Sequence, residues 1–327
     1  MMSDAIKSFP KQFEFQPEIQ NKEKLGRYEN FVVLGMGGSH LAADLLTLAN
    51  PEISIIVHSD YGLPSLAENV LKKSLVIASS YSGNTEETLD GFAEAKKGGY
   101  ARAAISVDGT LGERAKGEGV PYVRMPDTGI QPRSALGFSM MGLLALMGER
   151  ETLARLHGLS KALDSSYAES QGKALADRVR GHIPLIYSSA KNKPIAYNWK
   201  IKFNETGKIP AFYNVFPELN HNEMTGFDIR HATKLLSERF YYILLKDPDD
   251  HPKVKKRMET LDLLYRDRGL TGEDLELSGK NIFEKIFSSL LIADWASFYT
   301  AEYYGLESEQ VPMVEEAVPH PEDPYGI

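Results

Sequence analysis

Short apolar runs alternate with amphipathic stretches along most of the chain. In the first half the apolar runs cover residues 31–34, 53–58, 75–79, 101–107 and 120–125. Helical patterns stand between them, for instance over Leu41–Leu48 and Glu86–Lys97. Buried strands that alternate with helices are typical of βαβ units, which build parallel sheets. The nearly all-apolar stretch Ser134–Met147 predicts a buried helix at the end of this region.

The same rhythm returns in the second half, after a charged helical stretch at residues 151–180. Apolar runs at Ile183–Ser189 and Phe240–Lys246 predict strands, while Pro194–Glu205 and Lys280–Tyr304 predict helices. We therefore predict an α/β fold of two tandem doubly wound domains with mainly parallel sheets, and ligands at the carboxyl ends of the strands. The predicted boundaries are an N-terminal extension at 1–28, a first domain at 29–150, a helical connection at 151–180, a second domain at 181–310 and a C-terminal tail at 311–327.

Composition excludes several classes of function. The 327 residues include 45 acidic and 37 basic side chains, for a net charge of −8, whereas a general nucleic-acid binder needs a basic face. The chain has no cysteine, which excludes disulfides, thiolate metal sites and a cysteine nucleophile. No apolar stretch has the length of a membrane span or the form of a secretory signal. We predict a cytoplasmic protein without nucleic-acid or membrane partners.

The first candidate loop is GMGGSH, residues 35–40, between a predicted strand and a predicted helix. It lacks the third glycine of the dinucleotide pattern, because His40 stands at that position, and it lacks the lysine of a P-loop. Gly37 and Gly38 allow positive φ and a close approach of a ligand, and the Ser39 hydroxyl lies where anions are favoured. A tight strand–helix turn explains the same glycines. For His40 we favour a helix-capping role over contact with a substrate.

The second candidate loop is SSYSGNTEET, residues 79–88, again between a strand and a helix. The spacing of Asn84 and Glu87 predicts a capping box, which is a purely structural role. That role does not explain Ser80, Ser82 and Thr85, whose hydroxyls can converge on one anion beside the free N–H groups of the helix. We therefore predict a site for a phosphate monoester.

Together these two loops resemble the SIS (sugar isomerase) family of phosphosugar-binding domains, which have a flavodoxin-like fold. Two further segments narrow the resemblance to the bifunctional phosphoglucose/phosphomannose isomerases: QPRSALGF at 131–138 and the long block NWKIKFNETGKIPAFYNVFPELNHNEMTGF at 198–227. With that block, the resemblance spans most of the chain. It implies an isomerase that interconverts glucose 6-phosphate or mannose 6-phosphate with fructose 6-phosphate through a cis-enediol, without a cofactor or a metal.

The resemblance also implies three catalytic residues. The family's base is a glutamate in the motif matched by FNETGK, which places it at Glu205. The ring-opening histidine of ELNHNE corresponds to His221, and the family's dimeric state implies that a second copy of the chain donates it to the site. The arginine of PRSALG corresponds to Arg133, which would stabilise the enediolate. From the residues alone, Glu205 would more often be a solvated surface acid, and a structural ion-pair partner is the less favoured alternative for Arg133.

The resemblance also implies the binding residues: Gly37, Gly38 and Ser39 contact the sugar, and Ser80, Ser82 and Thr85 contact the phosphate.

The sequence departs from the family in one respect. The family carries a lysine after its last helix, whereas this chain has no lysine or arginine after Lys285. His320, Lys202 or Lys208 would be the candidate replacements.

Two alternatives remain open on this evidence. The chain could be a catalytically silent SIS protein that binds phosphosugars and regulates a partner, or an isomerase of another phosphosugar. The predicted base, histidine and arginine favour catalysis, while the missing lysine allows the silent alternative.

Overall fold

The computed structural model of the protein describes residues 1–316. Its strands are β1 (Ile19–Gln20), β2 (Asn30–Leu34), β3 (Ser54–His58), β4 (Ser74–Ser79), β5 (Ala101–Ser106), β6 (Tyr122–Arg124), β7 (Ile183–Ser189), β8 (Phe212–Phe216), β9 (Phe240–Lys246) and β10 (Thr271–Glu276). Its helices are α1 (Met2–Ser8), α2 (Leu41–Ala49), α3 (Glu68–Leu71), α4 (Glu86–Lys97), α5 (Gly109–Gly117), α6 (Leu136–Met147), α7 (Arg150–Leu156), α8 (Leu159–Ala162), α9 (Ser165–Val179), α10 (Lys193–Glu205), α11 (Glu223–Gly226), α12 (Lys234–Ser237), α13 (Pro252–Asp267), α14 (Ile282–Tyr304) and α15 (Pro312–Glu316).

The first sheet has six strands in the order β1-β6-β5-β4-β2-β3. All of its pairs are parallel except β1 with β6. The apolar run of β4 is buried on both faces, as expected for a central strand that helices cover on each side. The order reverses at β2 and β4, so the loops after these two strands emerge side by side at the carboxyl edge of the sheet.

The second sheet has four parallel strands in the order β10-β9-β7-β8. The predictions for β7 and β9 match the structure residue for residue. We did not predict β8, which lies inside an aromatic run, or β10, whose sequence TGEDLE carries three acidic residues. Both are edge strands, where polar side chains reach solvent and the apolar signal is weak. The α/β class with mainly parallel sheets is confirmed.

The long helices lie between the two sheets and join them into one core. α6 and α14 are buried along most of their length, and α9 packs against α14. The N-terminal segment, predicted as an extension, takes part in this core. The rings of Phe9 and Phe13 pack against Phe287 of α14, with 5.6 and 4.8 Å between ring centroids. Within residues 1–316, no helix is both long enough and apolar enough to cross a membrane. The domain boundaries stay a prediction.

Candidate active site

The first candidate loop, residues 35–40, is called the glycine loop below. It forms a single 3₁₀ turn, Gly37–Ser39, after the carboxyl end of β2. A side chain at Gly38 would meet the backbone nitrogen of Arg133 at 2.5 Å, so this glycine lets two backbone segments touch. Gly37 has a positive φ of 49° and open space around it. The Ser39 hydroxyl accepts a hydrogen bond from the backbone N–H of Tyr81. This bond connects the glycine loop to the second candidate loop, residues 79–88, which is called the serine loop below. Of the two glycines, Gly37 alone leaves its surroundings open to a ligand.

The serine loop brings its hydroxyls together at the start of α4. The Ser80 and Thr85 hydroxyl oxygens lie 2.8 Å apart, and Ser80 also accepts from the backbone of Gly83. The Ser82 hydroxyl lies on the exposed side of the loop and accepts from the backbone of Asn84. The loop therefore gathers the three predicted hydroxyl residues around one helix end, and their contact with a phosphate stays a prediction.

The capping-box prediction is wrong. Thr85 is the N-cap residue of α4, and within the described chain no side chain caps this helix. The carbonyl oxygen of the Asn84 side chain instead accepts from the backbone of Thr110 at the start of α5. This long-range bond outcompetes the local cap, and it leaves the N–H groups of the first turn of α4 available to an anion.

Gly83 holds the serine loop in shape. Its φ is 77°, and an added Cβ would lie 1.9 Å from the carbonyl oxygen of Asp108. We expect Gly83→Ala to lower the free energy of unfolding by about 1–3 kcal/mol more than Gly99→Ala, because overpacking adds to the strain of a positive φ. Gly99 is a matched control, since its φ is 67° and a Cβ there would meet nothing within 4 Å. Urea unfolding of both variants measures the difference; equal losses would contradict this account of the loop.

Arg133 is the centre of the predicted catalytic group. It is 2% exposed, and its Nε donates to the Thr206 hydroxyl at 2.9 Å. One terminal nitrogen lies 3.3 Å from a carboxylate oxygen of Glu205, and the other donates to the carbonyls of Ser308 and Glu309 at 2.8 and 2.7 Å. The structure therefore brings Arg133 and Glu205 together, although they are far apart in sequence. Backbone carbonyls and the Thr206 hydroxyl hold two of the three guanidinium nitrogens of Arg133. The third nitrogen is directed at the Glu205 carboxylate.

Burial lowers the pKa of Arg133, and the Glu205 and Asp294 carboxylates oppose this effect. The guanidinium stays charged, because the ordinary pKa of an arginine lies far above neutral pH. A buried, rigid cation of this kind stabilises negative charge that develops next to it during a reaction.

Helix α10 carries Glu205 at its last position. The helix is fixed against α14 by a hydrogen bond from Trp199 Nε1 to the Ser289 hydroxyl at 2.9 Å. It also carries the buried ion pair of Lys202 with Asp294 at 2.5 Å. Lys202 is therefore committed to the core, and His320 lies outside the described residues.

Of the three candidate replacements for the family's lysine, Lys208 is the one that lies beside Glu205 and Arg133. It has a positive φ of 57°, and its ammonium donates to the carbonyls of Glu205 and Gln310. Burial and the Arg133 charge lower its pKa, while Glu307 and Glu205 act in the opposite direction. The segment after α14 therefore contacts both cations of the site, Arg133 and Lys208, with its backbone carbonyls.

His221 does not join this group within one chain. It is exposed, on the 3₁₀ helix Glu218–His221 that follows β8. Because α10 runs antiparallel to β7, Glu205 lies at the amino edge of the second sheet, whereas β8 ends at the carboxyl edge. A five-residue strand separates these edges by roughly 17 Å. The candidate loops of the first sheet lie at its carboxyl edge, where ligands are predicted to bind, whereas Glu205 approaches from the amino edge of the second sheet.

Comparison with known proteins decides the family. A family model described as the bacterial phospho-glucose isomerase C-terminal SIS domain matches residues 168–317. The bifunctional phosphoglucose/phosphomannose isomerase of Aquifex aeolicus is 34% identical over 95% of this chain and 95% of that one. The enzyme of the same name from Caldicellulosiruptor bescii is 32% identical over 96% and 97% of the two chains. This chain belongs to the family of bifunctional phosphoglucose/phosphomannose isomerases.

The resemblance seen in the motifs is thereby confirmed, and so is the fold of this isomerase. A solved structure, glucosamine-6-phosphate deaminase from Thermotoga maritima, superposes with a TM-score of 0.68 over 95% of this chain and 96% of that one. At 15% identity this likeness concerns the fold alone.

The carboxyl edge of the isomerase's second sheet is filled by its own side chains. Asp247 accepts from Lys285 at 2.6 Å and from Asn192 at 3.1 Å, and Ser189 donates to Asp250 at 2.6 Å. Burial raises the pKa of Asp247, but its hydrogen bonds, that from Lys285 first among them, outweigh burial and bring it to about 2. In the first sheet the loops after β2 and β4 carry serine and threonine hydroxyls at this edge, and the anion site is predicted there.

Sequence reasoning missed several groups at the site of this isomerase. Thr206 and the carbonyls of Ser308 and Glu309 hold Arg133, and nothing local in the sequence marks a carbonyl as a ligand of a distant arginine. Asp44 bonds His40, and here the spacing of four residues on a helix was a usable signal. Among the described residues, no group of three or more His, Asp or Glu is arranged to hold a metal ion.

Proposed function

We propose that this protein interconverts glucose 6-phosphate and mannose 6-phosphate with fructose 6-phosphate by proton transfer through a cis-enediol. The observation that carries the proposal is the contact of the Glu205 carboxylate with the buried Arg133 guanidinium beside the glycine loop. The names of relatives that match nearly the full chain support the same substrates. Because phosphate esters of sugars are charged and are retained inside cells, we place the reaction in the cytoplasm.

The roles follow from the chemistry of the reaction. Glu205 takes the proton from C2 of the aldose and returns it to C1, while the carbonyl oxygen at C1 gains a proton and the hydroxyl at C2 loses one. A carboxylate suits this work when it is partly shielded from water, and Glu205 is 30% exposed. Arg133 faces the oxygens of C1 and C2 and stabilises the enediolate between the two proton transfers. These steps need no cofactor.

The phosphate is proposed to lie at the start of α4. Ser80, Ser82 and Thr85 supply hydroxyl donors, and the uncapped first turn of the helix supplies N–H groups and the positive end of its dipole. The sugar then extends past Gly37, Gly38 and Ser39 toward Arg133. A coupled assay with fructose 6-phosphate and EDTA, which follows glucose 6-phosphate and mannose 6-phosphate separately, tests the proposal. Formation of neither sugar would contradict it and favour the silent binding protein.

His221 is proposed to act in the site of a second copy of the chain, in a homodimer. Its distance from Glu205 within one chain supports this arrangement. Exposed apolar side chains on the second domain, with 51% exposure for Phe212, 76% for Leu235 and 71% for Leu236, also favour burial against a partner. Histidine suits ring opening because its ordinary pKa lies near neutral pH.

Mixing two inactive variants tests the exchange of His221. We expect Glu205→Gln and His221→Gln to be inactive alone and to regain about a quarter of wild-type activity when they are co-expressed. Half of randomly formed dimers are mixed, and each mixed dimer carries one intact site. Turnover of fructose 6-phosphate by the co-purified mixture measures the effect. A mixture no more active than its parents would show that His221 is not supplied by a second copy.

A further inference from the structure

His40 is a buried histidine that the proposed reaction does not yet use. It follows the glycine loop directly and is 6% exposed. We predicted a helix-capping role, but its side chain makes no capping hydrogen bond to α2 within the described chain. Its Nδ1 instead lies 2.7 Å from a carboxylate oxygen of Asp44, one helical turn further on. A carboxylate on one ring nitrogen fixes the orientation of the imidazole and turns the other nitrogen away from it.

Tyr197 links the imidazole of His40 to the helix that carries Glu205. The imidazole stacks on the ring of Tyr197, with 5.9 Å between centroids and 27° between planes. Tyr197 belongs to α10, the helix that ends at Glu205. Burial raises the pKa of the Tyr197 hydroxyl, and the nearby Asp44 and Glu205 charges add to this effect. Nε2 of His40 has no hydrogen-bond partner among the described residues.

We propose that His40, oriented by Asp44, contacts the sugar and donates the proton that opens its ring. This inference rests on the proposed function and adds a residue to it. Ring opening needs two groups, one that gives a proton to the ring oxygen and one that takes a proton from the C1 hydroxyl. The family's C-terminal lysine is missing from this chain, and Lys208 is held by backbone carbonyls, so His221 of the second copy needs another residue as its partner in this step. An imidazole tied to a carboxylate is a suitable proton donor near neutral pH.

The proton balance of the step is simple. The C1–O5 bond breaks, and its electron pair stays on the ring oxygen, which receives the proton from His40 Nε2. The hydroxyl at C1 loses its proton to His221 of the second copy, which passes it to water, and the electron pair of that O–H bond completes the C1 carbonyl. Water returns a proton to the imidazole. The open-chain aldose is then available to Glu205, and no oxidant or reductant takes part.

Exchange between the α and β anomers of glucose 6-phosphate tests the step by itself, because it needs ring opening but no transfer from C2. We expect His40→Asn to lower enzyme-catalysed anomer exchange, followed by NMR, by about 100-fold or more. Asp44→Asn, which keeps the shape of the pair, should lower it by about 10-fold or more. The matched control is His182→Asn, since His182 bonds the nearby Arg180 carbonyl just before β7 and has no role in the proposed reaction, so exchange should stay unchanged.

A second measurement separates catalysis from a structural role. The affinity for 5-phosphoarabinonate, an open-chain acid with no ring to open, should stay within about twofold in both variants if the fold and the phosphate site are intact. The inference is overturned if His40→Asn keeps wild-type anomer exchange, or if it loses anomer exchange and inhibitor binding together. A wild-type protein that neither isomerises nor anomerises the sugar would overturn the proposed function itself.

Discussion

Replacing Glu205 with glutamine should lower turnover of both glucose 6-phosphate and mannose 6-phosphate by about 10³-fold or more, within the range that general base catalysis supplies. The amide keeps the size of the side chain and the hydrogen bond to Arg133, but it cannot accept the proton from C2. KM for both sugars should change little, because the phosphate is held at the other end of the site. Steady-state kinetics and the exchange of the C2 hydrogen with solvent deuterium measure the effect.

Glu259→Gln is the matched control for this variant. Glu259 lies on α13, exposed and paired with Lys256, and its replacement should leave kcat unchanged. The assignment of the base fails if Glu205→Gln retains solvent exchange at C2 near the wild-type rate. Loss of turnover with an equally large rise in KM would indicate a binding role for Glu205 instead of a proton-transfer role.

Replacing Arg133 with methionine should both destabilise the protein and inactivate it. The guanidinium satisfies the Thr206 hydroxyl and the Ser308 and Glu309 carbonyls in a buried setting, and methionine leaves them without this donor. We expect a loss of about 3–5 kcal/mol in the free energy of unfolding, typical of removing one partner from a buried charge network. Urea unfolding at constant protein concentration measures it. The enediolate also loses its cation, so kcat should fall by about 10²-fold or more.

Arg133→Lys separates the two effects. Lysine keeps the charge but cannot form the planar fork that reaches the hydroxyl and both carbonyls, so part of the stability and most of the activity should still be lost. The control is Arg178→Met, which breaks the half-exposed pair of Arg178 with Glu273 and should cost about 1 kcal/mol or less. Equal losses of stability in Arg133→Met and Arg178→Met would contradict the structural part of this role.

Much of the fold could be predicted because its strands are buried on both faces. Ile183–Ser189 and Phe240–Lys246 are continuous apolar runs, and such runs arise when helices cover each side of a parallel sheet. The edge strand Thr271–Glu276 escaped prediction because one of its sides meets solvent, where glutamate and aspartate are stable. The pattern of apolar residues therefore indicates the centre of a sheet better than its edges.

The candidate site was less predictable, because its contacts join residues that are distant in sequence. The motifs pointed to Glu205 and Arg133, and the structure places the two side chains in contact. Nothing in the local sequence indicates that Asn84 reaches α5 in preference to capping α4, since both choices use the same side-chain oxygen. For His221 the family motif names a residue, but a single chain cannot show where that residue acts.

The bond between Arg133 and the carbonyls of residues 308 and 309 also bears on the order of biosynthesis. A nascent chain on the ribosome completes the glycine and serine loops early, yet one terminal nitrogen of its Arg133 lacks both of its carbonyl acceptors until the segment after α14 has been made. Catalytic competence is thus acquired near the end of translation, and not when the first sheet has folded. A chain that terminates before residue 308 would retain the groups assigned to the phosphate, but its Arg133 would be held by Thr206 and Glu205 alone.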